Sequence, residues 1–292
     1  MIKRFLVTAI MVAIAATLVV LRYQYHLDNP WTRDALVRAH IIQITPRVTG
    51  PVIALHIDDN SRVEEGQLLF EIDPVPYETA LAKAEANLLQ AQAALDKTEN
   101  ENNRAIQLER REPGTISTLQ LNNYANAVEA ADANVKAAEA ALREAKLNLE
   151  YTKVYAAADG FITNLTLREG AQVVANQPVV ALIDEDSFWV EGFFKETDLA
   201  GIDIGDAAVV TLMSHPDLPM EARVETIGFG IAQQDGSTGA FLLPNVNPNF
   251  QWIRLAQRVP IKVKLDQVPT SLQLRVGTSA SIQIQKSVTA ED

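Results

Sequence analysis

Gly50-Pro51-Val52-Ile53-Ala54-Leu55-His56-Ile57-Asp58-Asp59-Asn60 is matched 110 positions later, without a gap, by Gly160-Phe161-Ile162-Thr163-Asn164-Leu165-Thr166-Leu167-Arg168-Glu169-Gly170. The match continues at the same offset: Val63 with Val173, Gln67 with Gln177, Leu69 with Val179, Ile72 with Leu182. Each copy alternates apolar and polar residues over short runs, as half-buried strands do. Each breaks at a polar turn, Asp58-Asp59-Asn60 in the first and Arg168-Glu169-Gly170 in the second. Two such units have apolar faces that neither can bury alone, so the repeat predicts one small β-sandwich assembled from two separated halves.

The pattern between the copies is different. Pro74 and Pro76 end the strand, and Pro76 suits the first turn of a helix. From Tyr77 to about Arg111 the chain is rich in Ala, Glu, Gln and Lys, which favour helix. Leu81, Ala84, Leu88, Ala91, Leu95 and Thr98 alternate spacings of three and four, a coiled-coil seam. Glu112-Pro113-Gly114-Thr115 breaks it. Ser117 with Gln120 forms a capping box for a second helix. Its seam is Leu121, Tyr124, Val128, Ala131, Val135, Ala138, Leu142, Ala145 and Leu149. Two helices of similar length on a short loop predict an antiparallel hairpin. At 1.5 Å per residue each arm reaches about 50 Å. The structural alternative is a hairpin that serves only as a spacer.

Upstream, Lys3 and Arg4 precede an apolar run from Phe5 to Leu21, softened by Thr8 and Thr17. The run is close to the shortest length that spans a bilayer, about 17 residues. It reads as an uncleaved anchor with Arg22, Tyr23 and Tyr25 at the outer interface and the N-terminus in the cytoplasm. A cleaved signal peptide, with Ala13-Ile14-Ala15 as the small-x-small site, is the other reading. Downstream of Ser187 the pattern is strand-like again. Phe188, Val190, Gly192 and Phe194 share one face, and a short helix fits Lys195 to Ala200. Strands follow near Ala207–Met213, Ala222–Phe229, Pro260–Leu265 and Ser279–Gln285. Short strands of this kind predict a β-barrel, completed by a strand over 34–44. The Gly-, Pro-, Asn- and Ser-rich 233–249 reads as a loop.

Composition closes off several functions. The formal charge is −12 with no basic cluster beyond the first few residues, which argues against nucleic-acid binding. There is no cysteine, hence no disulfide, thiol catalysis or Cys-ligated zinc. His26, His40, His56 and His215 lack metal-ligand spacing. Glu64-Glu65 and Asp184-Glu185-Asp186 lie at turns, where solvated carboxylates are common. No P-loop, nucleophile elbow or dinucleotide fingerprint occurs. An enzyme's lipoyl or biotinyl domain carries a modified Lys at the junction of its halves. Here the helical insertion occupies that junction, so no cofactor is expected and the chain reads as no enzyme.

The order of anchor, strand, half β-unit, hairpin, other half and barrel resembles the HlyD/EmrA-type membrane fusion (periplasmic adaptor) proteins. Several stretches carry the resemblance: Asn29-Pro30-Trp31-Thr32-Arg33-Asp34-Ala35, Thr45-Pro46-Arg47-Val48-Thr49-Gly50, Ala157-Ala158-Asp159-Gly160, and Trp252-Ile253-Arg254-Leu255-Ala256-Gln257-Arg258-Val259-Pro260-Ile261. It is nearest the branch of aromatic carboxylic acid efflux adaptors represented by AaeA, and covers nearly all of the chain after residue 28.

The resemblance implies a mixed α and β, elongated multi-domain fold with an N-terminal transmembrane helix. Residues 1–4 would be cytoplasmic and 5–22 the anchor. A β-barrel would take 34–45 with 187–286. A lipoyl-like domain would take 46–73 with 154–186, split by the hairpin of 74–153, and 287–292 would be a tail. It also implies a single-pass inner-membrane protein with its bulk in the periplasm, self-associating as a hexamer. Its partners would be an inner-membrane transporter, of aromatic-acid exporter or major-facilitator type, and a TolC-type outer-membrane channel. Many family members carry Arg, Leu and Ser at the hairpin tip for channel docking. Arg104, Leu108 and Ser117 correspond here, with the Leu-to-Ser spacing about two residues longer than the family pattern. The alternatives are the adaptor of a major-facilitator multidrug pump, a carrier domain, or a structural coiled coil bridging envelope layers.

Overall fold

The computed structural model describes residues 11–22, 29–230, 256–269 and 272–286. Of the expected anchor over 5–22, residues 5–10 lie outside the described residues, and 11–22 are helical (α1). Among the described residues no helix is long and apolar enough to cross a membrane. The described structure therefore carries only part of the expected transmembrane helix. His26, the expected loop of 233–249, Trp252 to Leu255 of the barrel stretch and the tail of 287–292 also lie outside the described residues. The remainder forms two compact units, residues 41–184 and residues 1–40 with 185–292.

The first unit is a sandwich of two four-stranded sheets. Its strands are β2 (Ile41–Ile44), β3 (Gly50–Leu55), β4 (Arg62–Val63), β5 (Leu68–Ile72), β6 (Lys153–Tyr155), β7 (Gly160–Thr163), β8 (Gln172–Val173) and β9 (Val180–Asp184). The sheet orders are β2-β9-β7-β4 and β6-β5-β3-β8. Each sheet borrows a short strand from the other half of the repeat: Gly50 pairs with Val173, and Gly160 with Val63. The turns beside them interlock in the same way. Asn60 donates its N–H to Ile162 O at 3.1 Å, and the equivalent Gly170 donates to Val52 O at 2.7 Å. Gly66 donates to Ala156 O at 3.0 Å, and the equivalent Asn176 to Pro46 O at 2.9 Å. All four of these turn residues have positive φ. Glycine and asparagine, the residues that tolerate it most readily, exchange places between the two copies. The core between the sheets is Val52, Val63, Leu69, Phe70 and Ile72 with Ile162, Val173, Val180 and Leu182.

The hairpin leaves this sandwich at a closed base. Ile72 donates its N–H to Thr152 O at 2.8 Å, and Asp73 to Pro51 O at 2.9 Å. Tyr77 Oη donates to Thr49 O at 2.7 Å, and the Arg47 guanidinium lies 4.7 Å from the Tyr151 ring centroid. The arms are α2 (Val75–Arg111) and α3 (Thr118–Glu150). Every residue of the expected seam is buried or half-buried except Tyr124. The fully buried members, Ala84, Ala131, Val135 and Ala145, are small, which lets the arms pack closely.

The second unit is a closed barrel in the order β1-β10-β13-β12-β11-β14. Its strands are β1 (Trp31–Arg38), β10 (Trp189–Lys195), β11 (Ala207–Leu212), β12 (Pro219–Ile227), β13 (Arg258–Leu265) and β14 (Ser279–Gln285). The helix expected at Lys195–Ala200 is a single 3-10 turn, Glu196–Asp198. The strand expected over 34–44 divides: β1 joins the barrel, while β2 pairs with β9 in the sandwich. The break falls at Ala39-His40, where His40 donates its N–H to Ser187 Oγ at 2.8 Å instead of to a strand. Val190, Gly192 and Phe194 face the barrel core as expected, with Phe188 partly buried against it.

The interlock makes a prediction. A Cβ at Gly160 would collide with the Ile183 carbonyl, which is backbone and cannot move aside, whereas one at Gly50 would meet only the Ile72 Cγ2 methyl, at 2.6 Å. Gly160→Ala should destabilise the sandwich by about 3 kcal/mol, and Gly50→Ala by less. Denaturant unfolding of the two variants checks the order.

Candidate functional site

The candidate site is the hairpin tip, because the arms project it beyond the sandwich and most of its side chains face solvent. α2 stops at Arg111, and Glu112 returns its N–H to Leu108 O at 2.9 Å. Pro113 cannot continue the helix, and Gly114 takes φ +89°, a conformation that favours glycine. Thr115 Oγ1 donates to Glu112 O at 2.7 Å. The chain re-enters helix at Ser117, an extended N-cap that accepts the Gln120 N–H on its hydroxyl at 3.3 Å.

One residue that sequence reasoning missed organises this turn. The Glu109 carboxylate accepts the Gly114 N–H on Oε1 at 2.7 Å and the Ile116 N–H on Oε2 at 2.9 Å. These donors, Gly114 first, hold its pKa below the ordinary glutamate range. The only sequence signal was an acid five residues before Gly114 in a Pro-Gly breaker, which reads as a solvated charge.

Arg104 and Leu108 lie one helical turn apart on α2, near its tip end. The Arg104 side chain is exposed and donates from Nε to Asn100 O at 3.3 Å. Leu108 is 42% exposed. Ser117 sits on the other arm, and its hydroxyl is engaged in capping. The structure thus groups Arg104 with Leu108 and gives Ser117 a local bond of its own. A second apolar side chain, Leu119, is 70% exposed one residue into α3; the seam pattern did not include it.

The other residues singled out by sequence have ordinary partners. His56 lies 3.4 Å from Glu71, His40 packs on Trp189 with ring centroids 5.0 Å apart, and His215 bonds Ser214 at 2.9 Å. Glu65 donates its backbone N–H to Asp159 Oδ1 at 2.6 Å. Among the described residues no group of three or more His, Cys, Asp or Glu is placed to hold a metal.

Comparison with known proteins gives two family matches. Residues 40–185 match the RND MFP barrel-sandwich hybrid domain. Residues 187–285 match the AAEA-like beta-barrel domain. The chain is 40% identical over 262 residues to the uncharacterized protein YdhJ of Escherichia coli (strain K12), covering 90% of each. It is similar in fold to the membrane fusion protein Spr0693 of Streptococcus pneumoniae R6, with TM-score 0.63, 15% identity and coverage of 89% and 99%. It is also similar to a MacA-MexA chimera carrying the Pseudomonas aeruginosa MexA α-hairpin, with TM-score 0.57, 21% identity and coverage of 89% and 82%.

Glu109 should show itself in acid. Because its folded pKa is depressed, its ordering of the turn is complete above the ordinary glutamate range and is lost as pH falls through the folded value. Exchange protection of the Gly114 and Ile116 amides, corrected for intrinsic rates, should hold down to the ordinary glutamate value, about pH 4.3, and fall below it. Glu109→Gln should lose that pH dependence while both arms remain helical by circular dichroism.

Proposed function

The chain belongs to the membrane fusion protein family, and from that premise we propose that it is the periplasmic adaptor of an efflux pump. In this reading residues 1–4 are cytoplasmic and 5–22 cross the inner membrane. The barrel and sandwich stand in the periplasm, and the hairpin tip meets a TolC-type outer-membrane channel. The observation that carries the reading is the hairpin itself. Two helices of 37 and 33 residues, rooted in a rigid sandwich, end in a tightly bonded turn with Leu108 and Leu119 exposed. A spacer needs no ordered apolar tip; a docking end does.

Arg104, Leu108 and Ser117 are proposed as the channel contacts, with Leu108 central because it is aliphatic and open to solvent. Copies of the chain associate, six in the family expectation, and an inner-membrane transporter supplies the energy. The cargo is proposed to be small aromatic carboxylates, supported by the match of the barrel to the AAEA-like description.

A photoreactive residue in place of Leu108, activated in cells, should trap an outer-membrane channel. Capture of none from Leu108 or Gly114 would remove tip docking and leave the hairpin a spacer. Ser117 separates capping from contact. Ser117→Ala should cost about 1 kcal/mol of local helix stability, and Ser117→Asp should restore it, because Asp caps as well as Ser. If Ser117 touches the channel, export falls in both variants; if it only caps, Ser117→Asp exports normally.

A further inference from the structure

Among the described residues, one rim of the barrel displays apolar side chains exposed to solvent. β1 and β11 both run antiparallel to β14, so their first residues lie at the same end of the barrel. β12 runs antiparallel to β11 and finishes there. In the barrel order, β12, β11, β14 and β1 are consecutive neighbours. Trp31, the first residue of β1, is 48% exposed, and Ile204, in the turn leading into β11, is 68% exposed. Phe229, just past β12, is fully exposed.

The exposure is built rather than incidental. Ile204 rides on a turn closed at both ends: Asp203 donates its N–H to Asp206 Oδ2 at 2.8 Å, and Asp206 donates back to Asp203 O at 3.2 Å. Asp206 is buried, and so is Ile202 on the inner side of the same turn. The turn thus drives one isoleucine into the core and thrusts the other outward. Trp31 follows Pro30, whose carbonyl accepts the Ile284 N–H at 3.0 Å. The Arg33 guanidinium lies 5.6 Å from its ring centroid. Gly228, beside Phe229, is held by its N–H to Pro260 O at 2.8 Å.

We propose that this rim rests in the headgroup layer of the membrane that holds the anchor, with Trp31, Ile204 and Phe229 reaching the acyl boundary. The proposal rests on the reading of 5–22 as an anchor. Only residues 23–30 separate that segment from Trp31, a tether of at most about 28 Å when fully extended. Trp31 is the first residue of the barrel after the tether, so its rim is the one the tether brings nearest the bilayer. The chemistry fits that depth: an indole bearing a cation on its face, an aliphatic tip and a phenyl ring are side chains that partition to the boundary of lipid and water. Charge on the rim is mixed. Arg33, Lys195, Arg258 and Lys286 stand with Asp34, Glu196, Asp198 and the exposed Asp203 beside Ile204, so contact depends on apolar insertion more than on anionic lipid. The opposite rim, with Met213 and Leu218 on the β11–β12 turn, is the internal control.

The chain contains no cysteine, so single-site labelling needs no prior substitution. Leu18→Cys, Ile204→Cys, Phe229→Cys and Leu218→Cys variants of the full chain would carry a small fluorophore in proteoliposomes of phosphatidylethanolamine and phosphatidylglycerol. Brominated acyl chains quench labels at the boundary, and iodide quenches labels in water. Loss of fluorescence to brominated lipid at 18, 204 and 229, with 218 quenched only by iodide, is the expected result. If 18 is quenched by lipid while 204 and 229 answer only to iodide, the rim proposal is overturned and the anchor stands. If 18 is not quenched by lipid, the anchor reading fails and takes the rim with it. Lipid quenching of 218 equal to that of 204 overturns the orientation. Shielding of 204 from both quenchers when the transporter is co-reconstituted assigns the rim to a protein partner and overturns the lipid contact.

Discussion

Everything in the sandwich depends on an exchange of backbone hydrogen bonds between two halves far apart in sequence. Val52 and Ile162 occupy equivalent places in the repeat. Each donates its N–H across to the other half, Val52 to Ala171 O and Ile162 to Ser61 O, both at 2.9 Å. Each also accepts there, from Gly170 and Asn60. Separated, either half would leave these groups unpaired and its apolar face open, at a cost comparable to losing several hydrogen bonds at once. The halves therefore fold together or not at all. An insertion placed between them must have its two ends side by side, which is the geometry an antiparallel hairpin supplies.

The hairpin is stabilised differently. Its buried seam residues are mainly alanines, and an alanine buries little more than one methyl group. The half-buried seam leucines, Leu81, Leu88, Leu95, Leu121, Leu142 and Leu149, add packing along its length, and backbone propensity accumulated over many Ala, Glu, Gln and Lys positions supplements it. Such a structure has little packing energy to spare at its far end. Local chemistry takes over there: the Glu109 carboxylate, the Ser117 cap and the Gly114 conformation define a turn without help from a core.

Much of this was legible from residue pattern. The gapless repeat announced the paired halves, and the three–four spacing announced the seam, because periodicity reports which face is buried. Periodicity does not report which strand pairs with which. The exchange of β4 and β8 was invisible, since Arg62-Val63 and Gln172-Val173 are too short to show any period. The division of the strand expected over 34–44 was hidden for a related reason. Trp31 to Ile44 contains no glycine or proline to mark a break, and the one at His40 falls where Ser187, 147 residues away, supplies a side-chain hydroxyl to its N–H. At the tip, Ser117 stood out as an N-cap, whereas Arg104 and Leu108 were singled out only through the resemblance to the family's tip motif. Glu109 did not stand out, because what distinguishes it is two backbone N–H groups that converge only after the turn has formed.

The hairpin tip and the barrel rim share one construction. At each, a carboxylate that could have remained in water binds backbone N–H groups of its own turn: Glu109 those of Gly114 and Ile116, Asp206 that of Asp203. At each, aliphatic side chains stand exposed beside that turn, Leu108 and Leu119 at the tip and Ile204 at the rim. An exposed leucine or isoleucine gains no burial in the folded chain, and a loose loop would let it fold back onto the nearest apolar surface. Pinning the turn prevents that collapse and holds the side chain where another surface can cover it, with less conformational entropy left to lose on contact. Two rigid turns in separate units, both offering apolar side chains to solvent, are expected of a protein that works by joining other components.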